Sequence, residues 1–225
     1  MIIKPPGKTI YDYFGPETIE KLPLVTVKKN TVIIPCEAQE VLELYYIVSG
    51  NVDAYIYKKN GQKYLCDSLG PHDFVGKFSQ MRNHNTFGEL VAKTSCRMLR
   101  LTDMQTQLFN NIGFYLFFQE KITDRVYRMF KNCLVRKSFS NRELLAYHFL
   151  NFSDSTGLIR ESDPYICLRA DISARQFYYN IKQMMDEGLI CREKDGLRIL
   201  DYDALREIAA DISTYMTNDG RLPYP

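Results

Sequence analysis

The chain has 225 residues, of which 29 are lysine or arginine and 27 are aspartate or glutamate, giving a formal net charge of +2. This length allows one large domain or two small ones, and the near balance of charge excludes a histone-like protein that binds nucleic acid through a basic tail. Hydrophobic residues make up 45% and charged residues 25%, which is typical of a globular protein and excludes a disordered, collagen-like or disulfide-stapled chain.

The start of the chain lacks a targeting signal. MIIKPPGKTIYDYF holds two prolines and several charges where a signal peptide needs an apolar stretch. No apolar run approaches the ~18–20 residues that cross a bilayer. We therefore expect a cytoplasmic protein without a membrane segment.

The cysteines and histidines are scattered rather than clustered. The six cysteines are separated by 24 residues or more, so no CxxC or CxC pair is present for zinc or an iron–sulfur cluster. This spacing favours buried, reduced thiols. The chain also lacks GxSxG, HExxH and Walker-type motifs. We expect no metal site, no cofactor and no enzymatic activity.

Residues 24–102 have the pattern of an antiparallel β structure. Short runs of Val, Ile, Leu, Tyr and Phe alternate with turn residues about every 8–12 positions. LPLVTVKKNTVIIP predicts two strands, and the Asn60-Gly61 turn of NVDAYIYKKNGQKYLCDSLG is the strongest hairpin signal. GPHDFVGKFSQ and ELVAKTSCRMLRLT follow. Many short strands joined by glycine turns predict a small barrel or jelly roll.

A long amphipathic helix is predicted next, because residues 102–137 contain no proline and one glycine. One apolar stripe recurs at intervals of three and four: Tyr115, Phe118, Ile122, Val126, Met129 and Cys133. A second stripe runs beside it: Phe114, Phe117, Lys121, Arg125 and Arg128. One face could pack on the β region while the other meets the same helix of a second subunit. The alternative is a helix buried within one subunit, but the near-heptad spacing favours dimerisation.

Further helices and a hairpin are predicted towards the end of the chain. Ser140 and Glu143 form a capping box for a helix over NRELLAYHFLNF, whereas YICL is β-like. A helix is predicted from about Ala174 to Glu187, with a serine N-cap and a glycine stop. ICREKDGLRILD predicts a hairpin turning on Asp195-Gly196, and a last helix covers residues 202–215.

The ordered set of these segments resembles the CRP/FNR family of bacterial transcription regulators. YYIVSGNVDAYIYKKNGQKYLCDSLGPHDFVG and AKTSCRMLRL are similar to the family's β-roll, and SARQFYYNIKQMMDEGLICREKDGLRILD is similar to its recognition helix and wing. The resemblance implies an α+β fold with an N-terminal antiparallel, jelly-roll-like β-roll (1–110), a long central dimerisation helix (111–137) and a C-terminal winged helix-turn-helix (138–225).

The resemblance also implies a function and its partners. A homodimer would read a palindromic operator in double-stranded DNA under the control of a small-molecule effector, with RNA polymerase as a further candidate partner. The first apolar stripe would form the dimer interface. The candidate DNA-binding residues are Ser173, Ala174, Arg175, Gln176, Tyr179, Lys194 and Arg198. Arg175 would bind guanine and Gln176 adenine, because the first turns of such a helix face the base edges. Ser173 and Tyr179, and Lys194 and Arg198 on the wing, would contact phosphates. The neighbouring residues Phe177, Tyr178 and Ile181 are expected to pack in the core.

Two features favour an alternative function. In this alternative the helix-turn-helix of the protein is degenerate, and the protein is a sensor that signals through contacts with other proteins. Only residues 169–172 separate YICL from Ser173, so the first helix of the motif is barely visible. Residues 138–225 also carry 10 basic and 14 acidic side chains, a net of −4, against +6 for residues 1–137.

The effector is expected not to be cyclic AMP. Cyclic-nucleotide-binding members hold ribose and phosphate with a Gly-Glu-Leu step and a later Arg-Ser pair, which this chain replaces with Gly76-Lys77-Phe78 and Thr86-Phe87. Without the arginine, a phosphate loses a charge-assisted hydrogen bond. The candidate effector-binding residues are Lys77, Phe78, Thr86, Phe87, Phe117, Tyr127 and Arg128. These aromatic residues, with Phe114, either line a pocket for a small aromatic or carboxylate ligand or fill the roll and leave no cavity.

Overall fold

The computed structural model describes residues 8–36, 43–57, 59, 61, 63–76 and 88–217. The chain divides into two compact units, Met1–Met129 and Phe130–Pro225, and the boundary falls within a long helix. Each unit has its own hydrophobic core. Within the described ranges, no helix has the length and apolar character needed to cross a bilayer.

The described part of the first unit contains eight strands in two antiparallel sheets. They are β1 (Leu24–Val27), β2 (Val32–Ile34), β3 (Leu44–Ser49), β4 (Val52–Tyr57), β5 (Lys63–Leu69), β6 (Phe74–Gly76), β7 (Glu89–Ala92) and β8 (Cys96–Arg100). One sheet has the order β1-β8-β3-β6 and the other β2-β7-β4-β5. The predicted β-roll is confirmed, since inward-facing residues such as Ile47, Val52 and Met98 form one core cluster.

The hairpin with the strongest turn signal is confirmed. β4 pairs with β5 from Val52 opposite Leu69 to Tyr57 opposite Lys63. Gly61 has a φ of +77°, a left-handed conformation that glycine adopts at little cost. The two strands of LPLVTVKKNTVIIP lie in different sheets, where β1 pairs with β8 and β2 with β7.

Aromatic rings fill the core between the first sheet and the helices packed on it. The helices of this unit are α1 (Pro16–Ile19), α2 (Gln105–Phe109) and α3 (Ile112–Ser138), the last of which continues into the second unit. The predicted long helix is confirmed as α3, although residues 102–109 are not part of it. The helix begins where the Asn111 side chain accepts a hydrogen bond from the backbone N–H of Phe114 (3.1 Å). Phe74 on β6 lies at the centre of the aromatic cluster, within 4.9 Å of the Phe118 ring centroid.

Besides the end of α3, the second unit contains five helices and three strands among its described residues. They are α4 (Asn141–Phe152), β9 (Leu158–Ile159), α5 (Asp163–Ala170), α6 (Ala174–Asp186), β10 (Ile190–Glu193), β11 (Gly196–Ile199), α7 (Tyr202–Ile208) and α8 (Ala210–Thr217). The capping box before α4 is confirmed, because Ser140 and Glu143 exchange hydrogen bonds of 2.8 and 3.3 Å. The wing is a sheet of order β10-β11-β9, in which β9 was not predicted.

Two predictions for this unit are wrong. YICL is part of helix α5 rather than a strand, because Pro164 stands in the first turn after the N-cap Ser162, and packing of Ile166 and Ala170 in the core outweighs the β-like composition. The last helix is two helices, α7 and α8. They are separated at Ala209, whose backbone leaves the helical region with φ −91° and ψ 4°.

Candidate nucleic-acid interface

The second unit contains a complete helix-turn-helix. Helix α5 is capped by Asp171, which has a left-handed φ of +54°, and Ile172 donates a backbone hydrogen bond of 3.0 Å back to Cys167. Helix α6 starts after Ser173, so only three residues join the two helices. Phe177, Ile181 and Met184 bury one face of α6 in the core that α5 also enters. The opposite face of α6 is therefore held outwards by packing.

The exposed face of α6 is aromatic and basic. Arg175, Tyr178, Tyr179 and Lys182 are all exposed and are spaced three and four residues apart, so that they share one face. Tyr178 is 54% exposed, and the prediction that it packs in the core is wrong, whereas Phe177 and Ile181 are buried as predicted. The Tyr179 hydroxyl accepts a hydrogen bond of 3.0 Å from Gln183 Nε2, which restrains its ring.

The first residues of α6 stabilise the start of the helix, and their side chains are also exposed at its surface. The Ser173 hydroxyl accepts a hydrogen bond from the backbone N–H of Gln176 (3.2 Å), and Gln176 Oε1 accepts from the backbone N–H of Ser173 (3.0 Å). This capping box engages the side-chain carbonyl of Gln176, so the bidentate contact to adenine predicted for it would require the box to open. Ala174 is exposed and leaves room beside Arg175.

Most arginines of the second unit are neutralised by neighbouring carboxylates. Arg198 pairs with Glu193 (3.0 Å from Nη2) and also donates to the carbonyl of Thr156, which holds it along the wing. Bidentate pairs likewise join Arg192 to Asp163 and Arg142 to Glu187. Within the described residues, no ion-pair partner faces Arg175, Lys182 or Lys194. These three cationic side chains, two on α6 and one at the tip of the wing, can therefore bind a polyanion.

The exposed apolar face of α3 differs from the predicted stripe. Phe118 is fully buried in the roll core, and Tyr115, Ile122, Met129 and Cys133 are half-buried, which leaves Val126 (57%) as the one predicted dimer residue that is well exposed. The face that is open lies further around the helix. Its exposed apolar members are Ile112 (71% exposed), Val126 and Phe130 (61% exposed), and the positions 116, 119 and 123 between them are Leu, Gln and Thr. The sequence pattern did not indicate Ile112 or Phe130.

The predicted effector residues fall into two groups. Lys77, Phe78, Thr86 and Phe87 lie outside the described residues. Phe117 is fully buried and contacts Tyr13 and Phe74, as Phe114 also does, so these two rings fill the core rather than line a pocket. Tyr127 is 47% exposed and Arg128 is half-buried on α3.

Arg128 belongs to a charged cluster inside the first unit. The Asp67 carboxylate on β5 lies 2.8 Å from Arg125 Nε and 3.5 Å from Arg128 Nε, and Arg125 also donates to the carbonyl of Phe74 (3.4 Å). Asp67 and Arg125 are buried. Their burial raises the pKa of the Asp67 carboxyl and lowers the pKa of the Arg125 guanidinium, because both charged forms lose hydration.

Comparison with known proteins agrees with this architecture. Residues 24–108 match the family model of the cyclic nucleotide-binding domain. The chain is similar to a CRP family transcriptional regulator from Thermus thermophilus (15% identity, TM-score 0.69, 83% of this chain and 96% of that one). It is also similar to a crp/fnr family protein from Eubacterium rectale (15%, 0.74, 88% and 99%) and to the c-di-GMP responsive regulator CLP from Xanthomonas campestris (13%, 0.71, 82% and 96%). No curated protein matches.

The chain therefore joins a β-roll, whose residues 24–108 match the family model of the cyclic nucleotide-binding domain, to a winged helix-turn-helix through a long helix. It has the fold of the CRP/FNR transcription regulators, and the resemblance found in its sequence is confirmed.

Proposed function

We propose that the protein is a DNA-binding transcription regulator of the CRP/FNR type and not an enzyme. The observation that carries this proposal is the complete helix-turn-helix, whose second helix α6 presents Arg175, Tyr178, Tyr179 and Lys182 on one exposed face. An α-helix with such a face fits the major groove, where arginine binds guanine and lysine contacts phosphates. Binding to a bacterial operator would place the protein in the cytoplasm, where RNA polymerase is a candidate partner.

Arg175 is the residue of α6 that we expect to read a base. Replacing Arg175 with Ala should weaken specific DNA binding by about 1–3 kcal/mol, roughly 5- to 150-fold in Kd, because a bidentate contact to guanine is lost. The measurement is a gel shift or fluorescence anisotropy titration with the promoter upstream of the protein's own gene, repeated at several salt concentrations.

A matched control for this variant is Arg206→Ala on α7, because Arg206 is also exposed but is paired with Asp203 (2.8 Å). We expect its DNA affinity to stay within about 2-fold of the original. Equal losses in Arg175→Ala and Arg206→Ala would show that α6 has no special role.

The proposed regulator is a homodimer that forms through the open face of α3. Ile112, Val126 and Phe130 are large apolar side chains that remain exposed on this face at near-heptad spacing. A second copy of the same helix would cover them. Two-fold symmetry then predicts a palindromic operator whose half-sites are about one duplex turn apart.

The effector of the proposed regulator is a small molecule other than cyclic AMP. The replacement of the glutamate and the phosphate-binding arginine at positions 77 and 86 supports this proposal. We expect calorimetric titration with cyclic AMP to give no saturable binding below about 100 μM, since each lost charge-assisted hydrogen bond removes about 1.5–3 kcal/mol. Micromolar or tighter affinity would contradict it. Titration of cyclic AMP into buffer alone provides the baseline.

The alternative function is a sensor that signals through protein contacts. The first observation in its favour, a barely visible first helix of the helix-turn-helix, no longer holds, because α5 is that helix. Its second support is the net charge of −4 over residues 138–225. If the purified dimer fails to bind its own promoter even at low salt, where phosphate contacts are strongest, this alternative becomes the better one.

A further inference from the structure

The side-chain amides of α6 are already hydrogen-bonded within the helix and its cap. Gln176 Oε1 accepts hydrogen bonds from the N-cap serine. Asn180 is buried and donates to the backbone carbonyl of Gln176 (2.8 Å), and Gln183 donates to the hydroxyl of Tyr179 (3.0 Å). A bidentate contact to adenine needs both the carbonyl and the NH2 group of one amide. Arg175 is therefore the side chain of α6 that is best suited to read a base through hydrogen bonds.

The surface next to Arg175 is largely aromatic. Tyr179 follows Arg175 by four residues, so the two side chains lie one turn apart on the same face of α6. This face is opposite to the side that the buried Phe177 anchors in the core. Tyr179 is 63% exposed, which leaves most of its side chain open to a partner. A helix that enters a groove with this face brings the guanidinium and the ring to the base edges together.

Tyr179 is better placed for this contact than the neighbouring Tyr178. The Tyr178 ring packs edge-on against the buried ring of Phe177, with centroids 5.3 Å apart, so it lies at the margin of the exposed face. The Tyr179 ring is instead restrained by the hydrogen bond that its hydroxyl accepts from Gln183. A side chain that is ordered before binding loses less conformational entropy in the complex.

The chemistry of the major groove indicates which base such a ring would contact. The C5-methyl group of thymine is the apolar group that the four base pairs present there, and the others are hydrogen-bond donors and acceptors. An exposed ring gains free energy by removing that methyl group from water. Four residues of helix rise about 6 Å, whereas successive bases are about 3.4 Å apart. The ring therefore reaches within about two base pairs of the base that Arg175 contacts.

We propose that Tyr179 is a specificity-determining residue that reads thymine, its ring packing on the C5-methyl group beside the guanine that Arg175 binds. This inference rests on the proposed function, in which α6 enters the major groove. It assigns the ring of Tyr179 to a base, whereas the sequence alone led us to expect a phosphate contact through its hydroxyl. Each half-site of the operator would then contain a guanine and a thymine within about two base pairs of each other.

The test compares two forms of one duplex, the sequence that the full-length protein selects most strongly from a random pool. One form is synthesised with thymine and the other with uracil, which lacks the methyl group and keeps the same hydrogen-bonding edge. We expect the Kd from fluorescence anisotropy to be roughly 10-fold higher for the uracil duplex, about 4-fold for each half-site of a dimer. Replacing single thymines should confine the loss to one position in each half-site.

Variants of the two tyrosines assign the effect to one ring. Tyr179→Ala should weaken binding of the thymine duplex and bring the Kd values of the two duplexes within about 2-fold of each other. Tyr179→Phe should keep the difference, because the ring remains. The matched control Tyr178→Ala removes the same type of side chain from the margin of the face and should also keep the difference.

Three results would overturn the assignment and leave the proposed function intact. The first is equal binding of the two duplexes by the original protein, and the second is a difference that persists in Tyr179→Ala. The third is an equal weakening of both duplexes in Tyr179→Phe, which identifies a phosphate contact through the hydroxyl. If the protein selects no sequence and binds no duplex even at low salt, the proposed function fails and this inference fails with it.

Discussion

Replacing Phe74 with Ala is expected to destabilise the first unit by about 3–5 kcal/mol, a large part of the ~5–15 kcal/mol that holds a typical domain folded. Phe74 is 3% exposed and lies at the centre of an aromatic cluster. Its ring lies 4.9 Å from that of Phe118, 5.7 Å from that of Phe117 and 5.4 Å from that of Tyr46. Truncation removes all these contacts at once and leaves a cavity between β6 and α3.

The measurement for Phe74→Ala is urea unfolding followed by far-UV circular dichroism, with the free energy of unfolding taken from the first transition. Phe74→Leu should keep most of the stability, because it preserves apolar volume and costs less than about 1.5 kcal/mol. The truncation control is Tyr178→Ala, since Tyr178 is exposed on α6 and its removal should change stability by about 0.5 kcal/mol or less. A loss below about 1 kcal/mol for Phe74→Ala would contradict the central role of this ring.

The strands and most of the helices could be predicted from the sequence because local signals and tertiary packing agree there. The turn at Gly61, the capping box at Ser140 and the N-cap at Ser173 each mark the boundary of an element that the structure contains. Helix α5 could not be predicted in this way. It has eight residues, too few to be stable alone, and its formation depends on Ile166 and Ala170 reaching a core made by distant parts of the chain.

The candidate DNA interface was predictable in part. The position of α6 followed from its N-cap and its apolar spacing, and Arg175 and Tyr179 are exposed as a contact residue requires. Which of the other arginines are paired with carboxylates could not be predicted. Arg198 and Arg192 pair with carboxylates 5 and 29 residues away in the chain, contacts that only the folded wing and helix α5 create.

The faces of α3 show a further limit of sequence periodicity. Apolar residues surround much of this helix, because one side packs on the roll while another stays open. The spacing therefore revealed the helix but not which apolar residues the roll would cover. Phe118 fitted the predicted dimer stripe, yet it contacts Phe74 and Phe109, whereas Ile112 and Phe130 remain outside.

Replacing Val126 with Lys is expected to dissociate the proposed dimer and, with it, to abolish high-affinity operator binding. Val126 is 57% exposed and lies between Ile112 and Phe130 on the open face of α3. In a symmetric dimer two such lysines would lie close together in an apolar interface, where each unpaired charge costs at least about 2 kcal/mol, so the two charges together should raise the dimer Kd by roughly several hundred-fold or more. Size-exclusion chromatography with light scattering over a concentration series measures this change.

The control for Val126→Lys is Asp124→Lys, which places the same side chain at an exposed position of α3 away from the apolar face. It should remain dimeric at the same concentrations. Because Val126 is exposed within its own subunit, neither variant should lower the thermal stability of the monomer by more than a few degrees. If Val126→Lys is monomeric but still binds a palindromic operator as tightly as the original protein, high-affinity DNA binding does not require the dimer. A dimer that survives Val126→Lys would instead place the interface elsewhere than on the open face of α3.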